Sequence, residues 1–177
     1  DFGNDGNIET VVVTQYGDAY MYNPLTNTLL WQYDFGTNLY GVNIFINDLD
    51  NNGTLELIVA LDQKIAVFNY NSNGPAFSLA REIPLLNISY VVVGDISGDN
   101  ISEIIVVHGG DYNRNLTVYS NNFDTISNFD INRYISSIYL ENLPGARKNI
   151  ILATIEPVST GGYNNFEINK LRALNPF

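Results

Sequence analysis

The chain has 177 residues and a net charge of −11, with 19 Asp and Glu against 8 Lys and Arg. That balance excludes a surface built for nucleic acid, and an apolar content of 45% with 12% aromatics excludes a disordered chain. No apolar run approaches the roughly 20 residues of a membrane-spanning helix, and the absence of Cys rules out a disulfide framework.

The chain opens on an acidic turn, Asp1-Phe2-Gly3-Asn4-Asp5-Gly6-Asn7-Ile8-Glu9, and runs into the β-branched Thr10-Val11-Val12-Val13. Alternating apolar residues between turn residues predict strands over 8–15, 19–23, 28–35 and 39–46. A second acidic turn follows, Asp48-Leu49-Asp50-Asn51-Asn52-Gly53-Thr54-Leu55-Glu56, with predicted strands over 55–61, 64–70, 77–83 and 88–94. The third, Asp95-Ile96-Ser97-Gly98-Asp99-Asn100-Ile101-Ser102-Glu103, leads into Ile104-Ile105-Val106-Val107. There 109–115 lengthens the first hairpin before Leu116-Thr117-Val118-Tyr119. The fourth turn, Asn142-Leu143-Pro144-Gly145-Ala146-Arg147-Lys148-Asn149-Ile150, keeps the frame without the acids, and its unit carries an insertion over 156–165 at the same hairpin. Nothing predicts a helix.

The turns recur every 47 residues, and 9 of the 19 acids lie in the first three. Each offers oxygens in the pattern that a hard cation needs, since Ca²⁺ takes six to eight oxygen ligands and a short loop of alternating carboxylates supplies most of them. The candidate ligands are Asp1, Asp5, Asn7 and Glu9 in the first loop; Asp48, Asp50, Asn52, Thr54 (through its carbonyl) and Glu56 in the second; and Asp95, Ser97, Asp99, Ile101 and Glu103 in the third. An EF-hand is excluded because its closing Glu stands at loop position 12, between helices, whereas position 12 here is Val12, Val59 or Val106, inside a predicted strand. Up to three structural Ca²⁺ ions are expected, which would bring the charge from −11 to about −5. The fourth loop is expected to bind none. Arg147 and Lys148 stand there either as covalent substitutes for the ion's charge or as solvated turn residues.

A four-stranded unit of 40 to 50 residues is the pattern of a β-propeller blade, so the fold class is all-β. The expected architecture is a β-propeller of four-stranded blades, with 1–177 a single segment of an incomplete ring. Counted from the loops, the first blade lacks its first strand and the fourth its last, so completion is expected from the rest of a longer chain or from a partner subunit. The three acidic loops resemble the FG-GAP, or VCBS-type, repeat of integrin alpha-subunit propellers and secreted microbial propellers. That family holds calcium in the hairpin between the first and second strands of a blade. Relative to its usual order Gly3 and Asn4 are exchanged, which leaves the first loop without a position-3 side-chain ligand. Residues 19–31, ending at Trp31, are similar to the outer-strand signature of quinoprotein-type propellers, in which a Trp packs against the neighbouring blade. Residues 171–177 begin the same phrase.

The resemblance and the weak, flexible calcium loops imply an extracellular or cell-surface module. Such a module would bind a protein or carbohydrate ligand at a loop face, in adhesion or surface assembly, with no nucleic-acid partner and no membrane insertion. Sequons stand at Asn52, Asn87, Asn100 and Asn115; two lie inside metal loops, leaving Asn87 and Asn115 as the candidate glycan sites. No catalytic residue is marked: His108 is the single histidine and reads as a hairpin residue, and no nucleophile–base pair is legible. The alternative is a carbohydrate-active enzyme, a propeller-type polysaccharide lyase, which would require Lys64, Arg81, Arg133 and Lys170 to converge.

Overall fold

The computed structural model describes residues 1–3, 5–36, 43–74, 76–110, 114–131, 134–142, 148–160 and 163–174, with the backbone alone at 134, 136, 141–142, 148–160 and 163–174. It divides into two compact units, Asp1–Leu86 and Asn87–Phe177.

In the first unit β1 (Thr10–Val13), β2 (Asp18–Asn23) and β3 (Thr28–Asp34) form an antiparallel three-stranded sheet in chain order. A second sheet runs β4 (Asn43–Asn47), β5 (Glu56–Ala60), β6 (Lys64–Tyr70) and β7 (Phe77–Pro84), a complete four-stranded meander of the propeller-blade type. The second unit repeats it as β8 (Tyr90–Gly94), β9 (Glu103–Gly109), β10 (Arg114–Tyr119) and β11 (Thr125–Asp130). It adds a three-stranded sheet of β12 (Tyr134–Asn142), β13 (Lys148–Thr160) and β14 (Tyr163–Leu174). The described residues contain strands and turns and no helix. Two four-stranded and two three-stranded sheets are the strand count expected from the loop positions.

Burial explains the composition of the strands. The second strand of each full blade, Glu56-Leu57-Ile58-Val59-Ala60 in β5 and Glu103-Ile104-Ile105-Val106-Val107 in β9, is buried on both faces. A strand covered on both sides reads as a continuous apolar run. The outer strands β7 and β11 are largely exposed and correspondingly polar. In each sheet with described side chains the outermost pairing is broken by a bulge, between Met21/Tyr22, Val67/Phe68 and Val118/Tyr119. A bulge adds local twist and bends the outer strand away from flat pairing.

The core of the first unit joins its two sheets. Ala19, Met21, Trp31 and Phe35 pack with Leu57, Val59, Ala66, Phe68 and Phe77. Trp31 presents its ring edge-on to Phe68 at 5.4 Å and Phe77 at 5.1 Å and stacks on Tyr33 at 6.0 Å. The tryptophan is therefore the blade-to-blade contact its place in the sequence implies. In the second unit Ile96, Ile105, Val107, Leu116, Val118, Ile135 and Ile138 form the equivalent cluster.

Ladder pairing extends into both regions of extra length. At 109–115 the strands run to the Gly109↔Arg114 pair, with His108 paired to Asn115, and residues 111–113 lie outside the described residues. Along 156–165 the pairing continues from Glu156↔Glu167 to Thr160↔Tyr163. The fourth turn departs from the expected frame. In the second and third loops the residue before position 1 pairs with position 9, Asn47↔Glu56 and Gly94↔Glu103. In the fourth, Glu141 pairs with Asn149, one residue earlier, and the ladder continues to Asn142↔Lys148. Without carboxylates to organise a nine-residue turn, pairing runs inward to a shorter connection; residues 143–147 lie outside the described residues.

Candidate metal centres

Each acidic loop leads into a strand that opens at or just after position 9, the second and third linking it to the strand before, and each is folded by its own carboxylates. The position-9 acid accepts the backbone N–H of position 2 in all three copies: Phe2 to Glu9 Oε2 at 2.9 Å, Leu49 to Glu56 Oε2 at 2.8 Å and Ile96 to Glu103 Oε2 at 2.8 Å. Position 1 closes the other side. Asp48 accepts N–H groups from Asn52 at 3.0 Å and Gly53 at 2.8 Å, and Asp1 does the same for Asp5 at 3.1 Å and Gly6 at 2.8 Å. Asp95 accepts from Gly98 at 2.6 Å and Asn100 at 3.0 Å. Position 5 then caps position 7 through Asp5 to Asn7, Asn52 to Thr54 and Asp99 to Ile101, at 2.7–2.9 Å. A carboxylate oxygen has two lone pairs, so these bonds orient the oxygens and leave capacity for a cation.

Position 6 requires a left-handed backbone: φ is +84° at Gly6, +85° at Gly53 and +68° at Asn100. No atom lies within 4 Å of where a Gly53 Cβ would stand, so conformation and not crowding favours glycine there. Gly53→Ala is expected to cost about 1–2 kcal/mol, the penalty of placing a Cβ in that region, while Gly53→Asn, which copies Asn100, costs much less. Denaturant unfolding of the two variants measures the difference.

The second loop gathers the tightest set. Carboxylate oxygens of Asp48, Asp50 and Glu56 all lie within 4.8 Å of one another. Two oxygens bound to one Ca²⁺ at 2.3–2.6 Å are separated by no more than about 5 Å, so this donor set fits the ion. The first and third loops differ at position 3, where Gly3 and Ser97 replace Asp50, and carry their extra acid at position 5 as Asp5 and Asp99. The N–H of Asn7 on Asp5, and of Ile101 on Asp99, holds those exposed carboxyls below the usual Asp range.

The position-9 acids behave oppositely. Glu56 and Glu103 are 5% and 4% exposed. Burial pushes both carboxyls above the usual Glu range, with the nearby charges of Asp50 and Asp48 adding for Glu56 and of Asp99 for Glu103. A buried glutamate beside other carboxylates, its charge disfavoured, is a group that a divalent cation would relieve.

Sequence reading missed the residue at position 2. Phe2, Leu49 and Ile96 are all buried, and Phe2 and Ile96 belong to the cores of their units. An apolar side chain between two polar positions pins each loop to the packed interior. The signal stood in the sequence, as an apolar second residue in every acidic copy.

Two of the other singled-out residues, His108 and Lys64, have side-chain partners. His108 Nε2 lies 2.8 Å from Thr117 Oγ1, which donates onward to Asn128 Oδ1 at 3.3 Å, and burial lowers the imidazole pKa. The Lys64 ammonium donates to Glu82 at 2.7 Å and lies 5.5 Å from the Phe35 ring centre. Arg81 is on β7, Arg133 lies outside the described residues, and Lys170 is described by its backbone on β14 alone. Asn87 is exposed, in a turn with φ +55°. Asn115 lies inside β10 between His108 and Asp130, and the Thr117 of its sequon is buried.

Comparison with known families matches residues 48–106 to the FG-GAP-like repeat. The match runs from the first position of the second loop, through the whole of β5 to β8, to the third loop and most of β9. This segment is an FG-GAP-like repeat. No curated protein matches the chain. Within the repeat the two loops share the position-9 to position-2 bond and the left-handed position 6. The 1–9 loop, outside the matched segment, has the same two features.

Proposed function

We propose that this chain is a calcium-stabilised β-propeller module of an extracellular or cell-surface protein. In this reading the loops at 1–9, 48–56 and 95–103 each hold one structural Ca²⁺, and the blades present a protein or carbohydrate ligand surface for adhesion or surface assembly. The observation that carries the metal reading is the convergence of Asp48, Asp50 and Glu56 within 4.8 Å on a scaffold built three times over. Loops of this charge and openness fill at roughly 10⁻⁴–10⁻³ M calcium, the range of extracellular modules, which supports the placement outside the cell. The lengthened β9–β10 and β13–β14 hairpins occur at the same topological place, and elaborations at one place in a repeat array commonly mark its binding face.

Calorimetric calcium titration of chelator-treated protein tests the metal reading. At neutral pH three ions bind per chain; no heat of binding up to about 10 mM calcium overturns the reading. Acidification supplies a second check. Because burial raises the Glu56 and Glu103 pKa values, protons compete with calcium already above the ordinary Glu range near about 4.3, and apparent affinity falls as pH drops through that window. Without calcium the slope of stability reverses: the folded state holds more protons than the unfolded one there, so stability falls as pH rises. Melting curves between about pH 4.5 and 7, with and without calcium, should therefore diverge as pH rises.

A further inference from the structure

The first loop lacks a side chain at position 3, and the structure fills that place from another sheet. Gly3 has no left-handed φ to explain it; a Cβ built there meets the Tyr70 hydroxyl at 3.1 Å and the Asp5 carboxylate at 3.7–3.8 Å. Glycine at this position is a matter of room for the tyrosine. Tyr70 ends β6, in the neighbouring sheet, and its ring is held by stacking on Phe2 at 5.9 Å and by edge contact with Phe77 at 5.8 Å. Burial, with the charges of Glu9 and Asp5, raises the phenol pKa above its usual value.

The pairing registers show that this arrangement belongs to the first loop. Ile58 pairs with Val67 in one full blade and Ile105 with Val118 in the other. The residue three positions on is Tyr70 in the first case and Asn121 in the second. The tyrosine thus stands in the blade that follows the Gly3 loop, and is replaced in the blade that follows the Asp50 loop.

We infer that the Tyr70 hydroxyl supplies the position-3 oxygen of the first loop's cation site in place of the missing Gly3 side chain, so that the ion links sheet β1–β3 to strand β6. The inference rests on the calcium reading of that loop. It makes the first site shared between two blades, while each of the other two draws its position-3 oxygen, from Asp50 or Ser97, within its own loop.

Calcium titration of the full chain as wild type, Tyr70→Phe and Gly3→Asp/Tyr70→Phe tests it. Phenylalanine keeps the ring packing against Phe2 and Phe77, and an unchanged melting temperature in chelator verifies that the fold is intact. The expected result is three ions in each protein, with one of the three weakened about fivefold to tenfold in Tyr70→Phe. The double variant restores that site, because removing the hydroxyl opens the space a Gly3→Asp side chain needs. Three sites of unchanged affinity in Tyr70→Phe would overturn the role of Tyr70 and leave the calcium reading standing, as would equal weakening of all three. Failure of the wild-type chain to bind calcium would overturn both.

Discussion

Chelation of calcium is expected to lower the melting temperature by about 10 °C. At ten times its dissociation constant an ion bound only by the folded state stabilises by about 1.4 kcal/mol, or about 4 kcal/mol for three independent loops. For a chain of this size each kcal/mol moves the midpoint by about 2–4 °C. The effect divides unequally, because the loops at 1–9 and 48–56 belong to the first unit and the one at 95–103 to the second. If the units melt in separate transitions, the first should shift about twice as far. Glu56→Gln isolates the ion's share: the amide oxygen still accepts the Leu49 N–H that Glu56 holds at 2.8 Å, but the negative charge is gone. Its melting temperature in chelator should be close to wild type or above it, since a buried charge among carboxylates has been removed, and its gain on adding calcium should shrink by about a third. An identical response to calcium in wild type and Glu56→Gln would contradict the assignment of Glu56 as a ligand.

Phe68→Ala has an effect of similar size from a different source. Phe68 is fully buried and lies 5.4 Å from Trp31, 4.9 Å from Tyr33 and 6.0 Å from Phe35, ring centre to ring centre. Removing it takes away the surface on which the outer strand of one sheet rests against the other. Deleting a buried phenylalanine costs about 3–5 kcal/mol, and calcium does not compensate because no ligand is lost. Trp31 is the single tryptophan, so its fluorescence reports unfolding of the first unit directly in denaturant. A loss below about 1 kcal/mol would show that the Trp31–Phe68 contact does not hold the two sheets together.

Much of this was legible because the repeat imposes itself on the sequence. A 47-residue spacing of acids and glycine located three loops, and the β-branched runs after them located β1, β5 and β9. Strand ends were less legible. The run read as 8–15 is paired only over Thr10–Val13, because Ile8 lies in the exposed end of the loop and the chain after Val13 turns back through Thr14–Asp18. The extra residues at 109–115 and 156–165 were placed at the right hairpins, but local polarity concealed that the ladder of β13 and β14 continues along 156–160 and 163–165. The fourth turn misled through its spacing: a constant interval between repeats does not fix a register once the carboxylates that shape the turn are gone.

Within the loops, sequence identified oxygens but not their division of labour. Glu9, Glu56 and Glu103 read as ligands, yet each is also the acceptor that closes its loop onto position 2, a role that shows only when donor and acceptor are seen together. Tyr70 had no local signal at all. It lies 67 residues from Gly3 in the chain, and only the packing of one sheet on the next brings its hydroxyl to the gap.

Anomalous diffraction from crystals grown in millimolar calcium tests the central claim most directly. The account predicts three calcium peaks. Each should lie about 2.3–2.6 Å from its loop oxygens, on Asp1, Asp5 and Glu9, on Asp48, Asp50 and Glu56, and on Asp95, Asp99 and Glu103, with none in 143–147. Empty loops at saturating calcium, or a cation held by the fourth turn, would contradict it.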